Sequence, residues 1–152
     1  SLSGFSSLRE YVCNTVCEAA LLHAGQQNAI RPIVRSAMNY AKAHFSDADL
    51  TLKEVSRQLG VSYVYLSKAF KEDCGISYTN YVNSCRLDEA KQILLKEGTK
   101  IPDICCRIGL EEKNFYYLFK KRECMTPQEY RRIFFENREE EPCTFQSAGK
   151  HI

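Results

Sequence analysis

A pattern that returns after 49 residues constrains this chain more than any other feature. TLKEVSRQLGVSYVYLSKAFKEDCGIS begins at Thr51, and KIPDICCRIGLEEKNFYYLFKKRECMT begins at Lys100. Laid together without a gap, Leu52 meets Ile101, Glu54 meets Asp103, Val55 meets Ile104 and Leu59 meets Ile108. Gly60 meets Gly109, Leu66 meets Phe115, and Phe70-Lys71 meets Phe119-Lys120. Few residues are identical. Apolar spacing and a glycine return, which is what a structural repeat has to keep.

Each copy reads as two helices and a turn. A glycine inside a helix costs roughly 0.5–1 kcal/mol against alanine, so Gly60 is better placed after a helix, in the left-handed conformation that commonly ends one. Thr51 and Glu54 have capping-box spacing: the Thr51 hydroxyl accepts from the Glu54 amide while the Glu54 side chain reaches back. The helix they open ends at Gln58 or Leu59, with Leu52, Val55 and Leu59 facing inward. Ser62 is the N-cap of the next helix, which buries Leu66, Ala69 and Phe70 and stops before Gly75. Two helices around a glycine turn match the helix-turn-helix outline.

The flanks are helical too. From Ile30 to Phe45, apolar residues at Ile33, Val34, Ala37, Met38, Ala41 and Phe45 share one face, and Pro32 stands in the first turn, where proline is tolerated. Ser77 to Glu97 is expected to form a linker helix between the copies; about 20 residues at 1.5 Å each make a rod of roughly 30 Å. Thr126-Pro127-Gln128-Glu129 is a second capping box, opening a helix that buries Tyr130, Ile133 and Phe134. Phe5 to His23 also has helical, partly heptad-like spacing and reads as a connector, with a dimer seam as the alternative. The expected organisation is a connector helix over residues 1–28, a double helix-turn-helix unit over 29–136 and a flexible tail over 137–152. The chain opens at Ser1 rather than Met, which points to a missing upstream part.

Charge and cysteine usage narrow the chemistry. Residues 30–135 hold 18 basic and 13 acidic side chains, a net +5, whereas the remainder carries −3. A basic middle is compatible with nucleic-acid binding. The eight cysteines (Cys13, Cys17, Cys74, Cys85, Cys105, Cys106, Cys124 and Cys143) contain no C-x-x-C pair, and His23, His44 and His151 are scattered. That argues against a zinc site and a thiol enzyme; no catalytic residue, metal ligand or cofactor is expected. Several cysteines fall on apolar helix positions, where the residue acts as a small hydrophobe. No window approaches the ~18 apolar residues of a membrane span and no secretory signal appears, so a cytoplasmic protein with free thiols is expected.

Two units in register, separated by a rod of roughly 30 Å, suit duplex DNA, whose successive major grooves on one side lie ≈ 34 Å apart. YVNSCRLDEAKQILL, IPDICCRIGL, NFYYLFKK and MTPQEYRR resemble segments of the DNA-binding domain of AraC/XylS-family bacterial transcription regulators, over about residues 30–135. The resemblance implies a seven-helix, two-lobed, all-α domain that binds double-stranded promoter DNA and usually activates transcription. It further implies RNA polymerase as a partner and allows a homodimer through the N-terminal helix or an upstream domain. Two departures stand out. Cys124 occupies the position opposite Gly75 where the family carries glycine, which is expected to reshape or strain that corner. The second unit is also about one residue shorter between Gly109 and Phe115 than the family pattern.

Helical phase names the candidate DNA contacts. With Leu66 and Phe70 inside, Tyr63, Val64, Ser67, Lys68 and Lys71 face out. With Phe115 and Phe119 inside, Lys113, Asn114, Tyr116, Tyr117 and Lys120 do. Asn suits adenine N6/N7, Lys suits guanine O6/N7, and Val64 suits a thymine methyl. The base-reading set is therefore Tyr63, Val64, Ser67, Lys68, Lys113, Asn114 and Tyr117. Lys71, Lys120, Lys121 and Arg122 are assigned to phosphates, which position without specifying. Glu111 and Glu112 repel phosphate and argue against equal roles for the two units. The competing reading is a helical protein-interaction module without DNA specificity.

Overall fold

The computed structural model describes residues 29–96 and 98–139, and among these it is all-α, with seven helices and no strand. They are α1 (Pro32–His44), α2 (Leu52–Gln58), α3 (Tyr63–Cys74), α4 (Tyr78–Leu94), α5 (Ile101–Ile108), α6 (Glu112–Glu123) and α7 (Pro127–Glu139). The N-terminal connector helix expected over 1–28 lies outside the described residues.

Two cores follow from the repeat. One gathers Val34, Ala37, Val55, Leu66 and Phe70 from α1, α2 and α3; the other gathers Ile104, Ile108, Phe115 and Phe119 from α5 and α6. The linker helix α4 belongs to both. Its N-terminal Tyr78 and Val82 enter the first core, and Leu87, Ala90, Ile93 and Leu94 enter the second. At 17 residues it is about 25 Å long, shorter than the expected rod, because it ends at Leu94 rather than running on to Glu97.

The copies agree in backbone detail. The Val61 amide donates to the Ser56 carbonyl (3.0 Å) and the Leu110 amide to the Cys105 carbonyl (3.1 Å), so the same bond closes each turn 49 residues apart. Gly60 and Gly109 both have φ +68°. Phe70 packs edge-on against Tyr81 at 5.5 Å, and Phe119 against Tyr130 at 5.6 Å. The segment between Gly109 and Phe115 is as long as its counterpart in the first unit: α6 starts three residues after Gly109, as α3 starts three after Gly60. The corner at Cys124 is not reshaped either. Cys124 takes φ 58°, ψ 18°, close to the 72°, −8° of Gly75.

The caps divide. Ser62 and Ser77 accept from the amides of Tyr65 and Asn80 (3.2 and 3.3 Å). Thr126 and Glu129 form a complete capping box, each side chain bonded to the other's amide. At Thr51 only half forms: the hydroxyl accepts from the Glu54 amide at 3.3 Å, while the Glu54 carboxylate turns to Arg57 and Gln58. A charged partner one turn along outcompetes a backbone amide for that carboxylate. The last helix α7 carries on through Glu139, past the expected start of the tail at residue 137.

Long-range arginines secure the loops. Arg86, only 7% exposed, donates from Nε to the Phe45 carbonyl and from a terminal nitrogen to the Asp47 carbonyl, both at 2.7 Å. In the second unit Arg131 does the equivalent at Leu94 and Thr99 (3.3 and 2.6 Å). Phe45 and Leu94 are themselves 49 residues apart, so each unit closes the end of its leading helix with an arginine from a later one.

Candidate nucleic-acid interface

The two second helices, α3 and α6, are amphipathic in the same phase. Leu66, Ala69, Phe70 and Cys74 bury one side of α3; Phe115 and Phe119 bury one side of α6. What is left outside is unusual for a surface. Among the described residues four large hydrophobic side chains are exposed: Tyr63 (52%), Val64 (74%), Tyr65 (49%) and Tyr117 (63%). All four stand on α3 or α6. Such a cluster marks a contact surface, and a groove lined with thymine methyls and sugars is one surface it suits.

The expected base-reading residues fall where phase put them. Tyr63, Val64 and Lys68 on α3, and Lys113, Asn114 and Tyr117 on α6, are exposed, while Ser67 is half-buried. Lys71, Lys120 and Lys121 are exposed too, and the Lys121 ammonium lies 5.9 Å from the centre of the Tyr117 ring. Tyr116 is half-buried; it packs beside Phe115 and its hydroxyl meets the Gln128 amide, so it supports α6.

Arg122 departs from expectation. Its guanidinium is spent inside the protein, on the Ser84 carbonyl (3.1 Å), the Asp88 carboxylate and Glu123 (3.3 Å). It ties α6 to α4. Tyr65 is the opposite case, exposed yet absent from the expected set. One residue before Leu66, it sits about 100° around the helix, at the edge of the buried stripe, where phase alone does not decide.

Electrostatics distinguish the two helices. Lys68 lies 3.9 Å from Glu72, whose nearer partner is the Arg31 guanidinium at 2.7 Å. The Arg31 guanidinium holds the Glu72 carboxyl below its usual range, and the Arg31 backbone amide bonds to Asp73 at 2.9 Å. The α6 N-terminus instead carries exposed Glu111 and Glu112 without a side-chain cap. Cys74 and Cys105 are buried, Cys85 is half-buried, and Cys106 and Cys124 are exposed; all five are free thiols. Burial pushes the Cys105 thiol up to about 11. Among the described residues no helix is long and apolar enough to cross a membrane, and no three His, Cys, Asp or Glu side chains stand together as a metal site.

Residues 55–133 match the model of a family described as a helix-turn-helix domain, and that match takes in both units. This chain belongs to the AraC-type helix-turn-helix transcription regulators. It is similar to the C-terminal domain of AraT, a response regulator from Geobacillus stearothermophilus, with 38% identity and a TM-score of 0.67 over 70% of this chain and 88% of that one. It is 32% identical to the regulatory protein PocR of Salmonella typhimurium over 105 residues, which are 68% of this chain and 34% of PocR. The chain thus spans about a third of that relative's length. The fold, at 14% identity and a TM-score of 0.65, is also that of the DNA-binding domain of AdpA, solved with a target DNA, over 70% of this chain and 96% of that one. An AraC-type domain is a DNA-binding module of a transcription regulator, and the double helix-turn-helix expected from the repeat is its architecture.

Proposed function

We propose that this AraC-type domain places α3 and α6 in successive major grooves of one promoter face, and that the protein activates transcription through contact with RNA polymerase in the bacterial cytoplasm. The observation that carries the reading is the placement of every exposed large hydrophobic residue described, together with Lys68, Lys113 and Asn114, on the outer faces of those two helices. Base reading falls to Tyr63, Val64, Ser67, Lys68, Lys113, Asn114 and Tyr117, with Tyr65 added; Lys71, Lys120 and Lys121 meet phosphates. The faces are chemically unlike, since Lys68 is replaced by Tyr117 and Val64 by Lys113 at the repeat offset. The half-sites are therefore unlike, and one chain reads both without a palindrome. Residues 29–136 do the binding and residues 1–28 lead to an upstream signal-receiving part, in keeping with the likeness to a response regulator's C-terminal domain.

Selection of bound sequences from a random duplex pool tests this. Two unlike conserved segments about 10 base pairs apart are expected. Lys68→Ala and Asn114→Ala should each relax the preference at one position, at a cost of about 1–3 kcal/mol. Lack of any preference over random duplex at physiological salt overturns the reading and favours a protein-interaction module.

A further inference from the structure

The two turn glycines look interchangeable, since both have φ +68°. Their surroundings differ. A Cβ on Gly60 would meet nothing within 4 Å, so there only the backbone angle asks for glycine. A Cβ on Gly109 would stand 2.4 Å from the Ser46 carbonyl oxygen and 2.9 Å from its carbon. Ser46 belongs to the α1–α2 loop of the first unit, and Gly109 to the turn of the second. The contact is backbone on backbone across the two lobes.

That loop has nowhere to retreat. The residues on either side of Ser46 are the two whose carbonyls Arg86 holds, Phe45 and Asp47. Arg86 is buried and rises from the linker helix α4. The Asp47 amide also bonds back to His44 (3.0 Å), and its carboxylate takes the Asp49 amide (2.9 Å). Carbon atoms pack at roughly 3.5 Å, so a methyl group at Gly109, 2.9 Å from the Ser46 carbonyl carbon, has to push one backbone away from the other by about 0.6 Å.

We propose that Gly109 is a positioning residue: the absence of its side chain lets the braced α1–α2 loop seat on the second turn, and that seat sets the angle and spacing at which α3 and α6 meet DNA. The inference rests on the two-groove reading. The linker helix links the lobes along one line; the Ser46–Gly109 seat, off that line, is what stops them from turning about it.

Gly60→Ala is the internal control, because it carries the same backbone strain without the contact. The 152-residue chain is compared as wild type, Gly60→Ala and Gly109→Ala, by residual dipolar couplings of the free protein fitted separately to residues 32–82 and 87–139. One alignment frame is expected to serve both lobes of wild type and Gly60→Ala, and two rotated frames are expected for Gly109→Ala. Duplexes chosen by the wild type, with the spacer lengthened or shortened by one base pair, give the second readout. Gly60→Ala should weaken all spacings alike, whereas Gly109→Ala should bind the original spacing roughly tenfold less, about 1.4 kcal/mol, and shift its optimum. Arg86→Lys serves if Gly109→Ala does not fold: a lysine lacks the fixed fork of donors that holds both carbonyls in place, and a loosened loop should broaden spacing tolerance. A common frame and unchanged spacing preference in Gly109→Ala, or in Arg86→Lys used in its place, overturn the proposal. A wild type indifferent to spacing overturns the two-groove reading instead, and the alignment frames still decide whether Gly109 sets the lobe angle.

Discussion

Cys124 holds the left-handed conformation of Gly75, 49 residues on, and repeats its hydrogen bond: the Gly75 amide donates to Lys71 and the Cys124 amide to Lys120, each at 2.9 Å. Among the described residues Cys124 is the one non-glycine at positive φ. The geometry of the corner is set by how α6 must leave for α7, and the side chain bears the strain. A left-handed L-residue costs roughly 1–2 kcal/mol, and glycine returns about 0.5–1 of that as unfolded-chain entropy. Cys124→Gly should therefore raise stability by roughly 0.5–1 kcal/mol, seen as a higher urea midpoint at unchanged slope. A lower midpoint would show that the cysteine side chain makes up for its backbone.

Arg31 stands where the upstream chain enters the domain, and its guanidinium competes with Lys68 for Glu72. Arg31→Ala should leave Glu72 to Lys68 and lower DNA affinity about two- to fivefold at low salt, where exposed charges are least screened. Glu72→Gln in the same background should restore it; binding left weak in the double variant would mean that the loss is structural. The pairing depends on pH in one direction. Because the folded Glu72 value is depressed, its contribution is present above the ordinary carboxylate value of 4.5 and is lost as pH falls through the lowered one.

Arg122 and Lys120 should separate cleanly. Arg122→Ala removes charge-assisted bonds to Ser84, Asp88 and Glu123 and should cost about 1.5–3 kcal/mol of stability, with the salt dependence of DNA binding unchanged. Lys120→Ala should leave stability within about 0.5 kcal/mol and reduce the slope of log affinity against log salt by about 1. Arg122→Ala lowering that slope in a chain of normal stability would return Arg122 to the phosphate contacts.

Thiol reactivity should follow burial. At pH 8, iodoacetamide followed by peptide mass analysis should label exposed Cys106 and Cys124 well before buried Cys74 and Cys105. Burial keeps the Cys105 thiol protonated up to about 11, against 9.0 ordinarily. The folded state holds that proton more tightly than the unfolded chain, so its contribution to stability is complete below about pH 9 and falls as pH rises through about 11. Early labelling of Cys105 would mean that α5 opens locally.

The helices, both turns, the caps at Ser62 and Thr126, and the outward faces of α3 and α6 were legible because each depends on residues three or four apart. Glu54 shows the limit even at that range, since two neighbours competed for one carboxylate. The partners of Arg122 were not legible, because a basic residue at a helix end has the same sequence signature whether or not it meets Asp88, 34 positions away. Arg86 gave no sign that it would be buried, its carbonyl partners lying 41 and 39 residues back.

By itself, then, the sequence determined a duplicated two-helix unit and which side of each second helix faces out, since periodicity and turn chemistry are local and survive a change of nearly every side chain. Only the tertiary structure decided that Gly60 and Gly109 do different work. Their φ angles are equal, and the difference is a carbonyl at Ser46, 63 residues from Gly109, brought there by packing on a shared linker helix.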